Sequence, residues 1–242
     1  MTHPAPLQVN HIDLNDEPSL TRFLNGIAAA FTNTHLSRAF ITEIDNTPPP
    51  YPSPTINTSR LRRHLSPGIT DGARSGAELV EAGNFSALAV WETTTYRGVP
   101  FSETMRDVGP IRDEWRRKIR ELKERYIGME RKEEDGTEGF KPFYHLGFLC
   151  RNPEEVNVQG AISAVVRLWL RRAEEERVPV WLEATYERAV EVYEHFGFRL
   201  VEVVTVGEGA RNAEGWPEEG GAGVNGYAML YDAHLRVNQN NT

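Results

Sequence analysis

Cysteine is nearly absent from this chain. Cys150 stands alone in 242 residues, so an internal disulfide and a thiolate metal cluster are both excluded, and with them the small secreted domains held together by disulfides. A reducing, cytoplasmic setting is expected. Long apolar runs are missing as well: nowhere do 18 apolar residues follow one another, and residues 1–10 show no signal-peptide pattern. No membrane partner is expected. Positive charge is in deficit, 27 Lys and Arg against 35 Asp and Glu for a net charge of −8, which argues against nucleic acid as a partner held by phosphate neutralisation. The seven histidines never approach a two-ligand helical spacing such as His-Glu-X-X-His, so no metal is expected. No Gly-X-Ser-X-Gly elbow and no Gly-X-X-X-X-Gly-Lys-Ser/Thr loop occur. Gly207-Glu208-Gly209-Ala210 lacks the third glycine of a dinucleotide fingerprint and follows no first strand.

What is present is enough apolar material, 39% of the residues, for one large domain with insertions. Leu20, Phe23, Leu24, Ile27, Ala28 and Phe31 follow a helical rhythm behind the start signals Asp16, Pro18 and Ser19. A second short helix, with Leu36, Phe40, Ile41 and Ile44, runs into Thr47 to Pro54, where five prolines in eight residues forbid regular pairing. The basic stretch Arg60 to Gly76 continues this proline-rich insertion, at about 48–76, as a solvated segment or a flexible flap. A β-hairpin is predicted around Gly83-Asn84. Ile111, Trp115, Ile119, Leu122 and Tyr126 form one stripe of an extra amphipathic helix, at about 103–130, whose remaining charges make a solvated face. Glu130 to Gly139 reads as a loop.

The last third alternates. Phe143 to Cys150 is a strand, Ala161 to Glu176 a helix, Val180 to Ala184 a strand, Glu187 to His195 a helix, Arg199 to Val206 a strand, and Gly226 to Tyr231 a final strand after the acidic loop Gly207 to Gly223. This is an α/β succession in which the strands flanking the first helix run parallel through a crossover. Gly197 permits the left-handed turn that ends many helices. Tyr193, on the last turn before it, carries a phenol able to act as a hydrogen-bond donor or acid.

Leu182-Glu183-Ala184-Thr185 and Tyr193-Glu194-His195-Phe196-Gly197-Phe198 resemble a strand end and a turn of the Gcn5-related N-acetyltransferase (GNAT) superfamily, especially its fungal small-molecule branch. Tyr144-His145-Leu146 with Pro153 is similar to the central strand of that family and its exit, and Ala173 with Glu174 to Val180 to the end of its helix. The resemblance implies a single GNAT-like domain over 1–242, with a mostly antiparallel mixed sheet, a splayed parallel central strand pair and flanking helices. It further implies an N-acyltransferase that moves an acetyl or other acyl group from acetyl-CoA, its cosubstrate, to a small-molecule amine. Tyr193 matches the family acid, while Glu183 and water are candidates for the base. Pantetheine is expected along Leu149, Cys150 and Arg151. The pyrophosphate is expected on the helix opening Val158, Gln159, Gly160, Ala161, Ile162 and Ser163, whose amides and dipole attract an anion. That motif is degenerate: Asn157 stands where relatives have Gln or Arg, and Ile162 replaces a small residue that would let the backbone approach. The alternative implied is a GNAT-fold protein with a lost or altered CoA site, acting by binding. The acidic loop could steer a cationic amine or simply be solvated.

Overall fold

The computed structural model describes residues 7–98, 109–131 and 138–236. The elements follow in the order β1 (Val9–His11), α1 (Glu17–Phe31), α2 (His35–Ile44), α3 (Thr58–Arg74), β2 (Glu78–Ala82), β3 (Ala87–Glu92), α4 (Pro110–Tyr126), β4 (Met129–Arg131), β5 (Glu138–Phe140), β6 (Tyr144–Arg151), α5 (Ala161–Glu176), β7 (Val180–Ala184), α6 (Glu187–His195), β8 (Arg199–Val206), β9 (Val224–Tyr231) and α7 (Ala233–Arg236). Seven strands form a mixed sheet in the order β1-β2-β3-β6-β7-β9-β8, mostly antiparallel with one parallel pair. No described helix is long and apolar enough to cross a membrane. The described residues divide between two compact units, the first holding 7–32, 57–98 and 146–172 and the second 33–56, 109–131, 138–145 and 173–236.

In the first unit the Asp16 side chain accepts a hydrogen bond from the Ser19 N–H at 3.3 Å, so α1 begins where its capping residues predict. Phe23, Leu24, Ile27 and Ala28 are buried. β2 and β3 pair from Glu78↔Trp91 to Ala82↔Ala87, closing the hairpin predicted around Gly83-Asn84. Every residue of β3 is buried, as in a strand covered on both faces. The Trp91 indole stacks on Trp169 at 5.7 Å and donates to the Val165 carbonyl at 3.0 Å, fixing α5 against the strand.

Residues 58–74 differ from the expectation of a solvated insertion or flap: they form the 17-residue helix α3. Asn57 caps it, accepting from the Arg60 N–H at 3.0 Å. Leu61, Leu65 and Ile69, four residues apart, are buried, and α3 packs on α1. Pro67, Gly68 and Gly72 lower its intrinsic helicity; tertiary burial of a narrow stripe supplies what propensity withholds.

In the second unit Ile111, Trp115, Ile119 and Leu122 of α4 are buried in one core with Leu36, Ala39, Trp181, Val204, Val206, Ala228 and Leu230. A Cβ at Gly226 would lie 2.4 Å from the Trp115 ring, so only glycine lets β9 approach α4 this closely. The solvated face of α4 carries the ion pairs Arg117–Glu121 and Arg120–Glu124, each worth about 0.3–0.5 kcal/mol. The expected start of this helix, 103–108, lies outside the described residues. Where a loop is predicted at 130–139, β4 and β5 pair from Met129↔Phe140 to Arg131↔Glu138, with 132–137 outside the described residues. β9 begins two residues before its expected start.

Candidate active site

The predicted pyrophosphate segment lies in the first unit, and the hairpin turn anchors it. Asn152 is buried; its N–H donates to the Ser86 carbonyl at 3.0 Å and its Oδ1 accepts from the Glu154 N–H at 3.0 Å. The Val158 N–H donates to Ser86 Oγ at 2.9 Å. Arg22 grips Glu155 through Nε at 2.7 Å and Nη2 at 2.6 Å, gives Nη1 to Asn84 Oδ1 at 3.0 Å, and lies 4.3 Å over the Phe85 ring. Charge-assisted, two-pronged contacts of this kind fix geometry as well as position. Gly160 follows with φ +85, a left-handed conformation that favours glycine. The helical ladder opens with the Ala164 N–H donating to the Gly160 carbonyl at 2.9 Å. The amides of Ile162 and Ser163 precede that bond and belong to the unladdered first turn of α5, where the helix dipole favours an anion.

The side chains around these amides are uneven. Gln159 is exposed, Val158, Ile162 and Ser163 are half-buried, and Ala161 is buried. Arg151, exposed at the end of β6, donates to Asn157 Oδ1, so the residue standing in the place of the usual Gln or Arg is engaged by the strand end. Leu149 and Cys150 are half-buried by surface. Burial pushes the Cys150 thiol up to about 12, so at neutral pH it is a thiol and not a nucleophilic thiolate.

Glu183 and Tyr193 lie in the second unit. Successive side chains of a strand alternate faces, so Trp181 and Glu183 of β7 share one, and the Trp181 Nε1–H donates to Glu183 Oε1 at 2.7 Å. His145 Nε2 lies 2.9 Å from Glu183 Oε2, and Lys123 Nζ 3.6 Å from Oε1. The side chains of Lys123, His145 and Glu183 are 0%, 2% and 9% exposed. Phe143 places its ring 5.6 Å from the Lys123 ammonium. Burial alone would raise the Glu183 carboxyl; the charges of Lys123 and His145 and the hydrogen bonds outweigh it and hold the group down at about 2. Tyr193, half-buried on the last turn of α6, meets Phe198 edge-on at 5.8 Å. Its carbonyl accepts from both the Phe196 and Phe198 N–H groups, at 3.0 and 3.1 Å, and Gly197 between them has φ +94. The predicted helix stop thus fixes the tyrosine backbone.

No family model matches the chain. An uncharacterized protein of Saccharomyces cerevisiae is 25% identical over 236 residues, 94% of this chain and 93% of that protein. Among solved structures, the histone acetyltransferase HPA2 and related acetyltransferase of Corynebacterium glutamicum superposes with TM-score 0.52 at 16% identity, over 93% of this chain and 96% of that one. A mosquito arylalkylamine N-acetyltransferase-like protein gives TM-score 0.52 at 10% identity, over 93% and 98%. The chain has the GNAT fold.

Within this GNAT fold, the stretch that carries the family resemblance spans β6 through β8. Sequence reasoning does not single out Lys123, placing it with the solvated charges of α4. Its spacing holds a signal: 119, 122, 123 and 126 follow the i, i+3, i+4, i+7 pattern of a buried face. The acidic loop 207–223 keeps its carboxylates in solvent, consistent with either steering or solvation, and also packs two of its side chains. Glu208, Glu214, Glu218 and Glu219 are exposed, but Trp216 is buried and stacks on Tyr51 at 5.4 Å. Arg211, in the sequence merely a counter-charge, is buried.

Proposed function

We propose that this GNAT-fold protein is an N-acyltransferase carrying an acetyl or other acyl group from CoA to the amine of a small molecule. The observation that carries the reading is the opening of α5, where a left-handed Gly160 precedes first-turn amides on a loop held by Ser86, Asn152 and the Arg22–Glu155 pair. Gly160, Ala161, Ile162 and Ser163, with Val158 and Gln159 leading in, would hold the pyrophosphate of acetyl-CoA, and Leu149, Cys150 and Arg151 its pantetheine arm. Acetyl-CoA supplies an acyl group already activated as a thioester.

The chain's own groups then bind, orient and move protons. Tyr193 is the acid that protonates the departing thiolate, whose ordinary pKa is about 8.5. An alkyl ammonium, with pKa about 10.4, must lose a proton before attack. Glu183, held at about 2, is a weak base; in this reading it orders His145, Lys123 and Trp181, and water takes the proton. Most of the acceleration comes from positioning amine and thioester. A small amine acceptor is supported by the arylalkylamine neighbour, and a nucleic-acid partner is opposed by the charge of −8.

A second reading, a GNAT-fold binding protein with an altered CoA site, is favoured by Ile162, half-buried in the first turn of α5, and by the Arg151–Asn157 bond. Calorimetric titration with acetyl-CoA separates the two. Saturable heat below millimolar ligand, followed by amine-dependent thiol release across an amine panel, supports the transferase; silence at millimolar acetyl-CoA supports the binding protein. Tyr193→Phe is expected to lower turnover about 100-fold with acetyl-CoA affinity unchanged, and full turnover in that variant removes the acid role.

A further inference from the structure

Within the second unit, the C-terminal ends of α4 and α5, the approaches to β6 and β7 and the short α7 surround a cavity of about 520 Å3. Small-molecule pockets span about 300–1,000 Å3, so the space suits a small ligand. None of the residues assigned to acyl transfer lines it. Ile127, Val178 and Leu235 give it an apolar wall, and Tyr126 adds a ring. The walls are held in place. His234 Nε2 lies 3.0 Å from the Val178 carbonyl. Arg199 grips Asp232, another lining residue, through Nε at 3.2 Å and Nη2 at 2.9 Å, and lies 5.6 Å from the centre of the Tyr126 ring. The Asp232 charge is thereby answered from outside the cavity.

Two cations, Lys141 and Arg177, line the cavity with no side-chain partner among the described residues. Both are exposed, so a ligand can reach them. Arg177 stands where the backbone favours another residue. Its N–H donates to the Glu174 carbonyl at 3.1 Å and the Val178 N–H donates to the Ala173 carbonyl at 2.9 Å, a helix ending whose left-handed residue is usually glycine. Arg177 has φ 59 there, at a local cost that glycine avoids, and residues kept at such a cost cluster at ligand sites. Lys141 is placed by a true glycine. A Cβ at Gly128, φ +88, would lie 3.5 Å from Lys141 Cε and 3.6 Å from its Nζ, and the Lys141 N–H donates to the Gly128 carbonyl at 3.0 Å. Two like charges are tolerated on one cavity because the ends of α4 and α5 carry partial negative charge. The remaining charged lining group is Glu130. Two cations against one carboxylate leave a single positive charge, which fits a monoanion, and the apolar wall fits a hydrocarbon or aromatic body.

We propose that this cavity binds a small monocarboxylate with an apolar body, the carboxylate on Arg177 and Lys141 and the body against Ile127, Val178 and Leu235. The planar guanidinium takes a carboxylate in two-pronged geometry, and the ammonium adds a point charge. The test is calorimetric titration of the full chain with butyrate, hexanoate, octanoate, benzoate and phenylpropionate, each against its primary amide, and with inorganic phosphate alone. At least one carboxylate should bind about tenfold more tightly than its amide. Arg177→Gly should abolish that preference while raising the urea midpoint of the free chain, because glycine suits the turn; affinity is then lost without damage to the fold. Lys141→Gln should weaken the same carboxylate several-fold, and Leu235→Ser should weaken carboxylate and amide alike. The proposal is overturned if no carboxylate binds at millimolar concentration, if carboxylate and amide bind equally, if the preference survives in Arg177→Gly, or if phosphate binds more tightly than every carboxylate. Should Arg177→Gly lower the midpoint instead, Lys141→Gln decides, since it leaves the turn unchanged. The site does not rest on the acyl-transfer reading. Carboxylate binding with silence toward acetyl-CoA keeps it and removes the transferase; amine acylation without carboxylate preference does the reverse.

Discussion

The two units hold their candidate residues by different physics. In the first, the loop ahead of α5 is tied by backbone amides to Ser86 and Asn152 and by one partly exposed ion pair, Arg22 with Glu155. In the second, a lysine, a histidine and a glutamate share one almost fully buried cluster beside Trp181. Neutral hydrogen bonds contribute about 1 kcal/mol each and fail singly. Buried charges are stabilised only together, because each carries a desolvation cost that its partners offset. The first arrangement suits a loop that must present amides to a ligand; the second suits a rigid element whose orientation must not drift.

That contrast breaks most sharply at Lys123. Lys123→Met, which strands Glu183 with one cationic partner fewer, is expected to cost about 3–5 kcal/mol in urea denaturation. Combining it with Glu183→Gln should cost less than the two single losses added together. A loss under about 1 kcal/mol would mean that the cluster behaves like a surface pair.

Acid exposes the same cluster without mutation. Glu183 sits at about 2 in the folded state against an ordinary 4.5, so its folded value is depressed. Its stabilisation is complete above the ordinary value and is lost as pH falls from 4.5 toward 2. Denaturation midpoints across that window should fall less steeply in Glu183→Gln; parallel profiles would show that other carboxylates dominate.

The first unit should respond more mildly. Arg22→Ala is expected to cost about 1 kcal/mol, since its pair with Glu155 is partly solvated, and to weaken acetyl-CoA several-fold by loosening the α5 opening. Unchanged affinity would mean that Ser86 and Asn152 hold the loop unaided. The smallest change expected is Ile162→Ala, a gain of about threefold in acetyl-CoA affinity from closer backbone approach, with a slight rise in helix propensity. A loss of affinity there would make the isoleucine a contact instead of an obstruction.

Much of the fold is legible along the chain because the deciding interactions are local. Asp16 and Ser19 begin α1, Gly197 ends α6, and the boundaries of β7, α6 and β8 follow from short apolar runs between turn residues. Helix α3 is not legible, because its three apolar residues are diluted by arginine, proline and glycine, and only burial against α1 selects the helix. The candidate site divides along the same line. Tyr193 and the Gly160 turn follow from motif and spacing, whereas two partners of Glu183, Lys123 and His145, come from segments distant in sequence, and only Trp181 lies on its own strand.

The sequence by itself determined the order of the α/β elements, the resemblance that points to the GNAT fold, and the residue types at the helix opening, since each is written within one turn or one strand. Only the tertiary structure decided which charges are buried. Lys123 and Arg211 look like ordinary surface charges in the chain, the motifs that hold His145 and Glu183 do not state that the two are buried together, and the environment of all four is set by segments distant in sequence that remove water from around them. Desolvation is a property of the packed molecule, and no local pattern of residues states it.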